Sequence, residues 1–167
     1  PILFICLLLE ICAGIVIENK TETLITYAVL LVLLPAFLNE GNALSGMLTA
    51  RLSTKLHMGT MEAKALPPRE AYDNFITIYI LAVVTFFIIF LAAYAISPPS
   101  LPFATVLAIV MVAGLIATTV INILSYYVAT LAVRFNLDPD DHSIPITSAT
   151  MDIACALILT FVISLFV

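Results

Sequence analysis

The chain has 167 residues, of which 63% are hydrophobic and 10% charged, with a mean hydropathy of +1.19. A soluble domain of this length cannot hide so much apolar surface, so the composition specifies a polytopic membrane protein embedded in a lipid bilayer. The net charge of −5, with six basic residues spread along the chain, excludes nucleic acid as a partner.

The first predicted span covers about residues 1–17. It opens at Pro1 inside an apolar run, which implies a preceding cytoplasmic region outside this sequence. Glu10 and the lack of a basic stretch before it argue against a signal peptide. Glu10, with Ala13 and Gly14 on its face, reads as an interhelical hydrogen-bonding group.

The second span runs from Leu24 to Leu38 and is expected to break at Asn39-Glu40-Gly41-Asn42. Gly41 can end a helix in the left-handed conformation and Asn42 can cap the next one. Beyond the break an amphipathic helix is expected, with Leu44, Met47, Leu48, Leu52 and Leu56 on its apolar face and Ser45, Thr49, Arg51 and Lys55 facing elsewhere. A break at membrane depth would free backbone carbonyls beside a wet cavity and aim a helix C-terminal dipole at a cation. The other reading is a turn at the membrane surface before a surface-lying helix.

The third span covers about residues 75–96, closed by Ser97-Pro98-Pro99. The fourth, about 101–133, exceeds the roughly 20 residues a bilayer needs. It carries a stripe of Gly114, Thr118, Asn122, Ser125 and Ala129 that suits close packing; Asn122 is also a candidate for lining a pathway. The fifth, about 146–167, is entered through Pro145, a residue suited to a first helical turn. Basic residues cluster in the second-to-third loop (Arg51, Lys55, Lys64, Arg69) and at Arg134, against Lys20 alone on the other side. The positive-inside rule then places the N-terminus in the cytoplasm and the C-terminus outside.

Asp152 stands about two turns into the fifth span, with Ser148 and Ala149 before it and Cys155 and Ala156 after it. An ionisable group there costs at least about 2.5–3.5 kcal/mol at a central position, which marks it as functional; a carboxylate favoured by the helix N-terminal dipole is the plainer reading. Asp138, Asp140 and Asp141 form an oxygen-only cluster before the same span, of a kind that suits Mg²⁺ or Ca²⁺, although solvated loop charges explain most such clusters. The three cysteines have no zinc-like spacing and read as packing residues. His57 and His142 have no partners at ligand spacing. No nucleotide-binding glycine loop, nucleophile elbow or zinc motif is present.

Two stretches carry a family resemblance. Pro35 followed by Gly41-Asn42, Arg51-Leu52-Ser53-Thr54 and His57-x-Gly59 is similar to the membrane domain of MgtE magnesium channels and their solute-carrier relatives. Leu137-Asp138-Pro139, Ile144-Pro145, Thr147 and Asp152 resemble the entry to that family's last helix. The resemblance covers the whole chain as one five-span unit. It implies an all-α membrane domain in which Asp152 is the ion-binding carboxylate and Gly41 and Asn42 line the pore opposite it. It departs at Glu40, where the bacterial channels carry a second glycine. The bacterial channels' regulatory domains have no counterpart here.

Together these observations predict a transporter of divalent cations, Mg²⁺ first, with a pore formed by the second and fifth helices of a homodimer. Mg²⁺ keeps several waters and is held through one or two carboxylates, which suits a single Asp in an oxygen-lined passage. Asn39, Gly41, Asn42, Asn122, Thr147 and Ser148 are the candidate lining residues, and Asp138 and Asp141 the candidate cytoplasmic entrance. The alternatives are a membrane-embedded, metal-dependent lipid-headgroup enzyme and a non-transporting scaffold. The first needs several Asp or His grouped at the membrane surface; the second leaves Asp152 unexplained.

Overall fold

The computed structural model describes residues 2–97, 100–135 and 143–167. The elements are α1 (Ile2–Glu18), α2 (Thr21–Thr26), α3 (Ala28–His57), α4 (Arg69–Ile96), α5 (Phe103–Arg134) and α6 (Ile144–Phe166). Four of them, α3 to α6, are long and apolar enough to cross a membrane among the described residues. The 17-residue α1 lies at the short end of the range for a span. Four of the five expected spans are thus present as long apolar helices, and the first is the shorter apolar helix α1.

Continuity of α3 is the main departure from expectation. It runs for 30 residues, about 45 Å at 1.5 Å per residue, straight through Asn39-Glu40-Gly41-Asn42. There is no break and no separate amphipathic helix. Gly41 stays helical, and the positive-φ glycine among the described residues is Gly59, at φ 68°. A glycine inside a helix costs only about 1 kcal/mol relative to alanine, and here the missing side chain is what lets α6 approach. Gly59 instead terminates α3, with its N–H on the Leu56 carbonyl and the Thr60 N–H on the Lys55 carbonyl. The chain does break, but earlier, at Tyr27, whose extended backbone (φ −114°, ψ 90°) separates α2 from α3.

The buried face of α3 is also wider than predicted. Leu44, Leu48, Leu52 and Leu56 are buried as expected, yet Met47 is exposed while Ser45 and Thr49 are fully buried. The reason lies in the neighbours: α3 packs against α4, α5 and α6 at once, so a second stripe of small side chains must also turn inward. Helices in lipid pack closely through small residues.

Contacts set the arrangement. The Ser125 hydroxyl of α5 donates to the Ser45 carbonyl of α3 at 3.3 Å, and Phe86 of α4 lies against both Phe37 and Gly114. Thus α3 and α5 run in the same direction, with α4 antiparallel against them and α6 packed on the same pair. α1 leans on α6, and the Cys6 thiol donates to the Pro145 carbonyl where both helices begin. Glu10 does not bridge helices: it is exposed on the outer face of α1 and has no hydrogen-bond partner among the described residues, because α1 turns Cys6 and Ala13 toward its neighbour instead.

The loop after α3 is pinned to α5. The Tyr126 hydroxyl donates to the Lys64 carbonyl at 2.9 Å, and Arg134 Nη2 donates to the Ala63 carbonyl at 3.2 Å. Among the described residues the one ion pair is Lys64–Glu62, at 2.8 Å. The ammonium holds the Glu62 carboxyl below its usual range by hydrogen bond and charge. Both groups stand in solvent, where such pairs contribute little.

Hydroxyls on the spans are mostly satisfied within their own helix. Thr118, Thr150, Thr160 and Ser164 each donate to the carbonyl four residues back, a way to carry a polar group through an apolar phase. Gly114 is a tight spot of another kind, since a Cβ there would collide with the Phe86 ring. Gly114→Val should therefore destabilise the bundle by about 1–3 kcal/mol. Thermal denaturation in detergent should show a lowered melting temperature, partly restored when Phe86→Leu is added.

Candidate ion site

The site forms where α6 meets α3 about halfway along each helix. Asp152 lies eight residues into α6, about 12 Å along the axis, and Pro145 opens the helix at its first turn as predicted. Asn42 Nδ2 donates to Asp152 Oδ1 at 2.7 Å. The second carboxylate oxygen has no partner among the described residues, and both side chains remain part-exposed. The other end of the amide, Asn42 Oδ1, is buried and unpartnered.

One residue earlier on α3, Gly41 is buried against Cys155, one turn beyond Asp152. A Cβ on Gly41 would overlap the Cys155 Sγ. The two contacts are stacked: close approach at Gly41–Cys155 brings the neighbouring Asn42 and Asp152 within hydrogen-bond reach. Beyond this point, away from the start of α6, both helices are closed by Leu33, Phe37, Leu159 and Ile163, all buried. Toward the start of α6, Ser148 is only half-buried, one turn below Asp152. The open side of the site is therefore the half nearer the start of α6.

The remaining sequence candidates fall in different places. Asn39 is exposed on α3, one turn before Asn42. Thr147 is fully buried, its hydroxyl donating to the Ser143 carbonyl. Asn122 is enclosed on α5, 4% exposed, and neither amide atom has a protein partner. Asp138, Asp140, Asp141 and His142 lie outside the described residues. Cys155 is a packing residue, as its spacing implies, and its contact with Gly41 is visible only in the tertiary structure.

Chemically, the site offers a carboxylate with one oxygen tied to a neutral amide and the other open. Among the described residues no cation pairs with it: the nearest basic residue along α3 is Arg51, nine positions from Asn42, about 13.5 Å along the helix. A carboxylate within a span is a candidate functional group by its cost alone. A family profile described as MgtE, divalent cation transporter, matches residues 34–162, a stretch containing both halves of this site. The chain belongs to the MgtE family. Divalent cation transport is the activity of that family, and the MgtE match runs from α3 to α6, omitting α1 and α2. No curated protein and no solved structure matches the chain.

The stacked contacts make a specific demand on this MgtE protein. Gly41→Ala should push α3 from α6 and weaken the Asn42–Asp152 bond, lowering both melting temperature and divalent cation flux. Cys155→Ala removes the sulfur and should restore both in the double variant, with a coupling of about 1–2 kcal/mol in the stability cycle. Additive losses in thermal melts and liposome flux would show that the two residues do not act as one contact.

Proposed function

We propose that the protein carries Mg²⁺ across the membrane, with Asp152 as the carboxylate that holds the ion in transit. The observation that carries the reading is the Asp152 carboxylate, placed mid-helix beside a polar amide on an adjoining span and in no ion pair among the described residues. Mg²⁺ dehydrates reluctantly, so a single open carboxylate oxygen, supported by Asn42 and Ser148, suits an ion that keeps most of its water.

The passage, on this reading, lies between two copies of the chain. The Asp152 side of α6 and the Asn42 side of α3 are part-exposed in one protomer. Asn39 and Ala43 are exposed on α3, and small side chains are what membrane helices use to approach each other. A two-fold axis would set two Asp152 carboxylates around one ion. The start of α6 then faces the cytoplasm, consistent with the basic residues of the α3–α4 loop and Arg134.

Asp152→Asn keeps the size and the Oδ1 acceptor for Asn42 while removing the charge. It should leave the protein folded and reduce Mg²⁺ uptake into proteoliposomes by tenfold or more, about 1.4 kcal/mol at the transport barrier. Wild-type flux from a monodisperse Asp152→Asn preparation would mean that the ion passes elsewhere.

Assembly and orientation are checked separately. Light scattering of a flux-competent preparation should give the mass of a dimer. A single cysteine at Lys64 should be labelled only from the cytoplasmic side and one at Lys20 only from outside.

A further inference from the structure

On the α4 side of α3, away from Asp152, two cavities share Arg51 and Thr77 and so form one groove. The upper part, about 590 Å³, is headed by Arg51, Lys55 and Asp73. The lower part, about 390 Å³, is lined by Met47, Ile80, Leu81 and Val84. We infer that this groove binds an anionic phospholipid of the cytoplasmic leaflet, its phosphate held by Arg51 and Lys55 and one acyl chain lying along Ile80 and Val84.

Three observations support this assignment. First, the chemistry changes along the groove as a lipid's does, with charge at one end and apolar side chains at the other. Second, the length fits: Asp73 to Val84 spans eleven residues of α4, about 16 Å, or one leaflet of a roughly 30 Å hydrocarbon core. Third, the cations are available. Neither Arg51 nor Lys55 is in an ion pair among the described residues, and one turn apart on α3 they face the same headgroup. The neighbouring hydroxyls compete little for the phosphate, since Thr54 and Thr77 donate to their own helix at Ala50 and Asp73.

Asp73 narrows the class of lipid. Two cations and one carboxylate leave a single net positive charge, matched to a phosphodiester of charge −1. The carboxylate accepts hydrogen bonds from a headgroup that carries free hydroxyls, as in phosphatidylglycerol, and has no such donor in phosphatidylcholine. Basic side chains at the cytoplasmic face are attracted to anionic lipid in general, but the built groove below them asks for a lipid with its chain in place. This inference is independent of the ion path, because the groove lies between α3 and α4 and the carboxylate between α3 and α6.

The whole chain in neutral detergent micelles provides the test. Melting temperature is followed with added phosphatidylglycerol, phosphatidylcholine or sn-glycerol 3-phosphate. Phosphatidylglycerol should raise it in a saturable way, while the other two should not. Arg51→Gln with Lys55→Gln should move the half-maximal concentration about thirtyfold higher, the effect of two basic side chains at a membrane surface. Val84→Trp should weaken the response with both charges intact, by filling the chain-binding end. Arg69→Gln, a lost cation outside the groove, should change nothing. If a variant melts too early to compare, native mass spectrometry counts retained lipid instead, and the same ranking is expected. An equal response to phosphatidylcholine, or an unchanged response in the charge variants, would reduce the groove to ordinary annular contact. A response to glycerol phosphate alone would make it a soluble-phosphate site and overturn the lipid assignment.

Discussion

The structure depends on how closely α3 and α6 can approach. A glycine on one helix and a small sulfur-bearing side chain on the other bring two backbones together in the middle of an apolar layer, where helices gain nothing from hydrophobic exclusion and must rely on fit. The approach converts a distant pair of polar residues, 110 positions apart in sequence, into a hydrogen bond. It also decides the shape of the rest. With α6 so near, α3 must present small residues on a second stripe, and α5 fits alongside through Ser45 and Ser125.

Much of this could be read from the sequence. Long apolar runs gave the helices, Pro145 marked the entry to the last one, and the small residues around Asp152 marked the face of α6 that meets α3. What could not be read was the behaviour of Gly41. A Gly-Asn pair in a helical pattern is a stop signal by local rules, and only a contact with Cys155, far along the chain, turns it into an interior position. Tyr27 misled in the opposite way: it ends α2 with no glycine or proline to announce it. The phase of α3 was half right for a related reason. Periodicity finds an apolar stripe, but it cannot tell that a polar-looking stripe beside it is covered by neighbours that are equally small.

The two sides of α3 also divide the chemistry. Toward α6 the helix offers neutral amide and hydroxyl groups around an acidic residue, and toward α4 it offers basic groups above an apolar trough. Keeping Arg51 and Lys55 off the acidic side matters physically. A guanidinium within about 4–6 Å of Asp152 would form an ion pair and occupy the carboxylate, whereas a neutral amide leaves its charge uncancelled.

The Asn42 side chain has two chemically opposite ends, and its oxygen is buried without a partner while its nitrogen is engaged. Turning the amide by half a revolution would exchange donor for acceptor toward the carboxylate, at the cost of one hydrogen bond to a charged group, about 1.5–3 kcal/mol. With nothing between the helices that turn is opposed, because two oxygens would then face each other. With a cation between them it is favoured, because both oxygens then face positive charge. On the proposed function, the residue that ties Asp152 through its nitrogen thus carries, on its other end, an oxygen that a cation would draw round.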